Sequence, residues 1–194
     1  MSGMPRIAVT GFDGFVGWHV RCAARARWGG DIVGLGIEEF ADPTLMDAGL
    51  ADVAAVIHLA GVNRAEDPAE IERTNPWLAE QLVASLRRLD RPVPVVYGNS
   101  IHSFGDTVFG VAKRKSAEIL AAWGEEVGAA VMDVAMPNLF GEHGLPNYNS
   151  VVATFCHTIA GGGSPSVVDD KELPLLYVGE VADRLLDLAV SPRG

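Results

Sequence analysis

Cysteine is almost absent from this chain of 194 residues: Cys22 and Cys156 are the only two. They are too few and too far apart for a zinc site or a C-x-x-C redox pair. Both fall in apolar, helix-like stretches, which predicts buried free thiols. Long apolar runs are also missing. No stretch reaches the ~20 residues that span a bilayer. The start, MSGMPRIAVTG, has neither the basic opening nor the long apolar core of a secretory signal. These absences predict no membrane partner and a cytoplasmic protein. Positive charge is scarce, with 15 Lys and Arg against 25 Asp and Glu and a net charge of −10. That balance argues against a nucleic acid partner, because no basic stripe is available to replace phosphate counterions. The basic clusters Arg21, Arg25, Arg27 and Lys113, Arg114, Lys115 lie in helix-like segments with apolar faces. Solvated helix surface accounts for all of them except Lys113. No His, Cys, Asp grouping has metal-ligand spacing, and no metal is expected. Internal repeats and low-complexity linkers are lacking too, and Gly161–Gly163 is the one flexible-looking joint.

What is present is an ordinary globular composition, 48% hydrophobic and 21% charged. The length suits one domain with a substantial core over 1–194. Apolar β-rich runs alternate with helix-period segments. Strands are expected at 6–11, 31–37, 53–61, 93–100 and within 129–141, with a further short one in PSVVDD (165–170). Helices are expected at 14–29, 43–51 (with Asp42 as N-cap), from 67 or 68 to 89, 107–124 ending at Gly124, 147–160, and 178–190. Continuous apolar strands alternating with helices imply a parallel sheet covered on both faces. The fold class is therefore α/β, a Rossmann-type doubly wound sheet with a reduced C-terminal substrate subdomain.

TGFDGFVG (10–17) sets Gly11, Gly14 and Gly17 between the first strand and the first helix, with Phe15 and Val16 opening that helix. Such a turn brings backbone amides up to a pyrophosphate, and the helix N-terminus adds a partial positive charge. The expected ligand is NAD or NADP. The ribose usually meets an acid at the end of the second strand. Glu38 is the candidate, although Gly36 stands nearer the usual place. No arginine offers itself there for a 2′-phosphate, and the choice between the two cofactors stays open.

The glycine spacing, the strand VIHLAG, Asn75, Ser100 and Lys113 together resemble the extended short-chain dehydrogenase/reductases, the nucleotide-sugar epimerases, dehydratases and reductases. HLAGVNR (58–64), PNLFG (137–141) and PNYNSVVATFC (146–156) look more specifically like the reductase domain of capsular-polysaccharide enzymes that reduce a 4-keto UDP-amino-sugar. Those enzymes carry a further substrate-domain segment and a cupin epimerase, whose activity is not carried over here. The resemblance implies that Leu59, Ala60, Gly61 and Pro137 lie along the cofactor. It implies that Ser100 holds the substrate oxygen and that Lys113 binds ribose. It also implies homodimerisation through the helices at about 68–89 and 107–124.

In the resembling enzymes a tyrosine exchanges the proton as hydride moves. Here Phe109 occupies that position, four residues before Lys113, and has no hydroxyl. Loss of general acid–base help typically costs about 100- to 10,000-fold in rate. An arginine common just before the PN of the fifth-strand motif is also replaced, by Ala135-Met136. Three readings follow. The chain is an NAD(P)-dependent oxidoreductase or dehydratase of a UDP-linked keto sugar, with His102, two residues after Ser100, moving protons. Or it performs a non-redox elimination or epimerisation of a nucleotide or nucleoside, with His102 as base. Or it is a catalytically silent dinucleotide-binding module.

Substrate-contacting elements are expected within 137–190. Asn138 joins Pro137 at the nicotinamide end. Asn147, Tyr148, Asn149 and Ser150 suit uracil edges and diphosphate oxygens, and Asn63 is a further substrate-binding candidate. Capping of the helix that follows is the alternative role for Asn147 or Asn149. His143 and His157 read as surface or packing residues, and His58 as a satisfied core histidine.

Overall fold

The computed structural model describes residues 5–167 and 169–191. Five parallel strands form the main sheet: β1 (Ile7–Thr10), β2 (Val33–Leu35), β3 (Ala55–His58), β4 (Val95–Ser100) and β5 (Val131–Met136). Their order is β2-β1-β3-β4-β5. Side chains alternate across each strand, so Ile7 and Val9 enter one core and Ala8 the other. Both faces are covered, which is why these strands read as unbroken apolar runs. Helices α1 (Phe15–Trp28) and α7 (Val178–Val190) pack on one face through Val20, Ala24, Val181, Leu185 and Leu186. Helices α3 (Pro43–Leu50), α4 (Pro68–Arg88) and α5 (Val108–Val127) cover the other through Met46, Leu50, Leu82, Leu86, Leu120 and Trp123. From β1 the chain winds outward to β2, then returns to the opposite side for β3. Thr10 ends beside both Leu35 and His58, and the reversal opens a crevice above the carboxyl ends of β1 and β3.

Local chemistry sets the helix ends. The Asp42 carboxylate accepts from Thr44 N at 2.8 Å, and Asp67 accepts from Ala69 N at 2.9 Å, each ahead of a proline at the first helical position. Downstream, β6 (Asn138–Phe140) pairs in parallel with β7 (Leu175–Tyr177) as a separate two-stranded sheet, and α6 (Val151–Ala160) lies between them in sequence.

Several expectations need correction. The second strand stops at Leu35, because the Glu39 carboxylate accepts from Gly36 N at 2.7 Å and starts the short helix α2 (Ile37–Ala41). Helix α5 does not end at Gly124. It continues to Val127 and is closed by Gly128 at φ 71°. Gly124 is buried mid-helix because a Cβ there would stand 2.6 Å from Val131 Cγ2. The segment 147–150 is a turn, with Asn147 and Asn149 at φ 60° and 52°, and α6 starts only at Val151. PSVVDD forms no strand among its described residues, and Val168 lies outside them; the strand is Leu175–Tyr177 instead. Both cysteines are exposed rather than buried. The buried side of α1 is carried by Gly17, Val20 and Ala24, and α6 buries none of its residues fully.

Candidate active site

The β1–α1 turn is built around bare backbone. Gly11 adopts φ 66°, and a Cβ on it would lie 2.8 Å from Ala60 N. A Cβ on Gly17 would run into Gly11 O and Phe12 Cα, so this position draws the helix onto the turn. Gly14 caps α1 without a side-chain bond, and the first turn of α1 holds no acidic residue. Its leading amides therefore face the crevice with no side-chain acceptor of their own. The crevice measures about 640 Å³. Gly11, Gly14, Phe15, Val16, Gly17, Leu59 and Gly61 all border it, whereas Ala60 and Glu38 do not. Glu38 is exposed. The carboxylate at the end of β2 is that of Glu39, held on Gly36 N.

Thr10 fixes the end of β3. Its Oγ1 accepts from Leu59 N and Ala60 N, both at 3.1 Å, and lies 2.7 Å from His58 Nδ1. With two amides on its lone pairs, the hydroxyl donates its proton to Nδ1, which places the imidazole proton on Nε2. His58 is thus the satisfied core histidine expected. Burial, with Lys113 nearby, pushes its pKa down to about 3. Asn75, on α4, clamps the loop that follows β3: Oδ1 accepts from Val62 N at 2.9 Å, and Nδ2 donates to Val62 O at 2.8 Å and Ile71 O at 3.1 Å.

Beyond the crevice lies an inner cavity of about 180 Å³. Ser100, at the end of β4, borders it together with Phe109 and Lys113, which sit one turn apart on α5. Ser100 Oγ accepts the His102 amide at 3.3 Å, leaving its own proton free to point elsewhere. Asn99, 2% exposed, receives the Ser100 amide on Oδ1 at 2.8 Å and donates from Nδ2 to Asp133 Oδ2 at 3.1 Å. Lys113 is buried. Its Nζ donates to Gly98 O at 2.7 Å and stands 4.2 Å from the Tyr97 ring centroid. Burial lowers its pKa to about 7, although Asp133 acts in the opposite sense. His102 is exposed on the 3₁₀ turn Ile101–Phe104, its ring 6.3 Å from that of Phe109, and it does not border the cavity.

On the substrate side, Tyr148, Asn149 and Ser150 border the crevice, Asn63 borders both spaces, and Pro137 borders the inner cavity. Tyr148 Oη donates to Asn63 Oδ1 at 2.7 Å, and the Arg64 guanidinium lies 5.3 Å from the Tyr148 ring while donating to Asn147 O at 3.3 Å. These contacts tie the loop after β3 to the turn before α6. Asn147 borders neither space, and its amide donates to Thr154 Oγ1 at 2.8 Å. Asn138 also borders neither, and its Nδ2 donates to Pro174 O at 3.4 Å. Ser150 caps α6 through Ala153 N at 3.2 Å. His143, read as surface or packing, stands in the crevice wall with its ring 4.2 Å from that of Trp18. Its left-handed backbone, φ 63°, brings it there, and no spacing in the sequence signals that turn. Nor does any local pattern in the sequence mark Arg64 or Asp133. Among the described residues no group of three or more His, Cys, Asp or Glu could hold a metal ion.

Comparison with known proteins agrees with this fold. The model of the NAD dependent epimerase/dehydratase family matches residues 7–193. The UDP-2-acetamido-2,6-beta-L-arabino-hexul-4-ose reductase of Pseudomonas aeruginosa is 37% identical over 177 residues, 91% of this chain and 47% of the relative. This chain thus spans about half the length of that curated relative. The crystal structure of the capsular polysaccharide assembling protein CapF from Staphylococcus aureus superposes with a TM-score of 0.79 at 30% identity, covering 95% of this chain and 50% of that one. UDP-N-acetylglucosamine 4-epimerase from Bacillus cereus, at 19% identity and a TM-score of 0.80 over 94% of this chain and 70% of its own, shares the fold. A nicotinamide dinucleotide is the cofactor that such a match implies, and the bare amides of α1 are suited to its diphosphate. By the extent of the family match and by its relatives, the chain belongs to the NAD dependent epimerase/dehydratase family.

Proposed function

We propose that this protein binds NAD(P)H along the crevice and reduces a 4-keto sugar carried on UDP, a hexul-4-ose of the kind named for its Pseudomonas aeruginosa relative, in the cytoplasm. One observation carries the reading. The crevice and the inner cavity adjoin each other, with Leu59, Gly61, Asn63, Gly98, Met136 and Leu139 bordering both. A dinucleotide with its diphosphate on the α1 amides would extend toward the space that Ser100, Phe109 and Lys113 border.

Bound there, the dinucleotide supplies hydride. The chain does the rest. Ser100 Oγ, whose lone pair takes the His102 amide, donates a hydrogen bond to the sugar carbonyl oxygen and polarises it. Lys113 has three N–H donors, one of them on Gly98 O, and offers another to a ribose hydroxyl. Phe109 stands at the position of the family tyrosine; its ring lines the cavity but brings no proton. Tyr148 and Asn63 close the mouth, and Asn149 and Ser150 face the nucleotide of the sugar. A homodimer forms through the outer faces of α4 and α5, where a groove of about 790 Å³ runs past Pro76, Trp77, Ile119 and Ala122.

The reading is tested by titrating the protein with NADH and with NADPH and following nicotinamide fluorescence. Gly14 has φ −73°, which any residue adopts, and a Cβ there stands 3.2 Å from Gly11 O, so the turn must give by a few tenths of an ångström. Gly14→Asp sets a carboxylate at the amino end of α1, and affinity for both dinucleotides should fall at least about tenfold. Unchanged affinity would move the binding site elsewhere in the molecule.

A further inference from the structure

The inner cavity holds Ser100 for the substrate oxygen and Phe109 at the place of the proton-transferring tyrosine. Its asparagines are engaged elsewhere, at least through their side-chain oxygens. Asn75 has both ends of its amide on backbone, Asn99 bridges Ser100 N and Asp133, and Asn63 Oδ1 takes the Tyr148 hydroxyl. Among the described residues that border the cavity, Lys113 alone carries an ionisable side chain. It approaches from the same helix face as Phe109, one turn further along, and its Nζ is fixed by Gly98 O at 2.7 Å.

We propose that Lys113 is the proton donor of this enzyme, delivering to the substrate oxygen, directly or through one water in the space left by the missing hydroxyl, the proton that a tyrosine would otherwise give. This rests on the ketoreduction reading above and assigns Lys113 a catalytic role beyond holding ribose. As the carbonyl carbon takes up hydride from the reduced dinucleotide, the C=O π pair passes to oxygen. An N–H bond of Lys113 breaks, an O–H bond forms, and the electron pair stays on Nζ as a neutral amine. Solvent water returns the proton before the next turnover. The surroundings suit a group that must give up charge. Burial holds the pKa near about 7, so the neutral amine is a comfortable product.

The charges around Lys113 are few. Asp133 faces it from β5 and His58 from β3, where the imidazole stays neutral to about pH 3. Tyr97 on β4 presents its ring. On its own helix, Arg114 donates to Ser103 O and Gly105 O and lies 3.7 Å from Asp106. Toward α4, Lys115 pairs with Glu72 at 3.6 Å and Glu126 with Arg87.

The test joins two measurements. The first is kcat for reduction of UDP-2-acetamido-2,6-β-L-arabino-hexul-4-ose as a function of pH. The second is the 13C NMR titration of the Lys113 side chain in the dinucleotide-bound protein. The expected result is a kcat that falls about tenfold per pH unit above a midpoint that coincides with the NMR midpoint, and that keeps this limb in His102→Ala. Lys113→Arg keeps the cation and its donors but cannot release a proton, so it should bind dinucleotide and lose about 100-fold or more in kcat. Phe109→Tyr should raise kcat by restoring the usual acid. Product formation with a kcat flat across the Lys113 midpoint, or a limb that vanishes in His102→Ala, overturns the role of Lys113 and leaves the ketoreductase reading standing. Bound dinucleotide with no product in any variant removes both. If Lys113→Arg fails to fold, the match or mismatch of the two midpoints in the unmodified protein decides by itself.

Discussion

At the scale of single residues, Lys113 and His58 both hold a titrating nitrogen inside the protein, at a cost in stability. The Lys113 pKa is lowered from 10.5 to about 7 and that of His58 from 6.5 to about 3. In each case the native state binds protons less readily than the unfolded chain, so each group makes the protein more stable as pH rises through its window. For His58 the contribution is complete above pH 6.5 and is lost as pH falls toward 3. For Lys113 it is complete above pH 10.5 and is lost as pH falls toward 7. Each span is on the order of 5 kcal/mol. Lys113→Met should therefore stabilise the ligand-free protein at pH 6, less about 1 kcal/mol for the donor that Gly98 O loses. That advantage should shrink toward pH 10, while dinucleotide affinity drops. Urea denaturation across this range checks it. A variant less stable than the parent at pH 6 would show that the ammonium is not strained by burial.

Among the elements, β5 does more than close the sheet. Asp133 on this edge strand is exposed, yet it holds the buried amide of Asn99, which in turn holds the amide of Ser100. Asp133→Ala removes the acceptor of a buried donor and should cost about 1–3 kcal/mol in stability. Its larger effect should be on the orientation of Ser100, with kcat reduced more than KM, and Asp133→Asn should restore part of it. Equal kinetics in Asp133→Ala and the parent would confine the residue to surface chemistry. Element boundaries show what a single sequence carries. Helices α3 and α4 were legible at their starts because Asp42-Pro43 and Asp67-Pro68 cap locally. Helix α5 was cut short because a glycine stops a helix when it is left-handed, as Gly128 is, but not when it makes room for a neighbour, as Gly124 does for Val131. That difference depends on a strand that arrives later in the chain. The pairing of β6 with β7 spans more than thirty residues and leaves no local pattern to read.

For the whole molecule, the alternation of strands and helices was enough to fix a parallel sheet, and the glycine turn located its crevice, because both follow from local periodicity and backbone sterics. What stayed hidden was the meeting of distant segments: Arg64 and Asn63 with the turn at 147–148, Trp18 with His143, and Asn99 with Asp133. Such contacts need three-dimensional coordinates, since each partner taken alone is an ordinary surface or strand residue. Assembly belongs to this scale too. Trp77 is 42% exposed on α4 beside the groove shared with α5. Trp77→Glu should turn a dimer into a monomer in sedimentation, with dinucleotide affinity preserved. A parent protein that sediments as a monomer at every concentration would refute the proposed pairing.

The central claim, that a chain with phenylalanine at position 109 still transfers hydride to a UDP-linked keto sugar, is met most directly by isotope. The protein is incubated with dinucleotide carrying deuterium at the transferable position and with UDP-2-acetamido-2,6-β-L-arabino-hexul-4-ose, and the sugar nucleotide is weighed. The account predicts a product heavier than the substrate by one deuterium and one hydrogen. Sugar recovered at its original mass, with dinucleotide bound and unspent, would contradict it and leave a protein that holds its cofactor without using it.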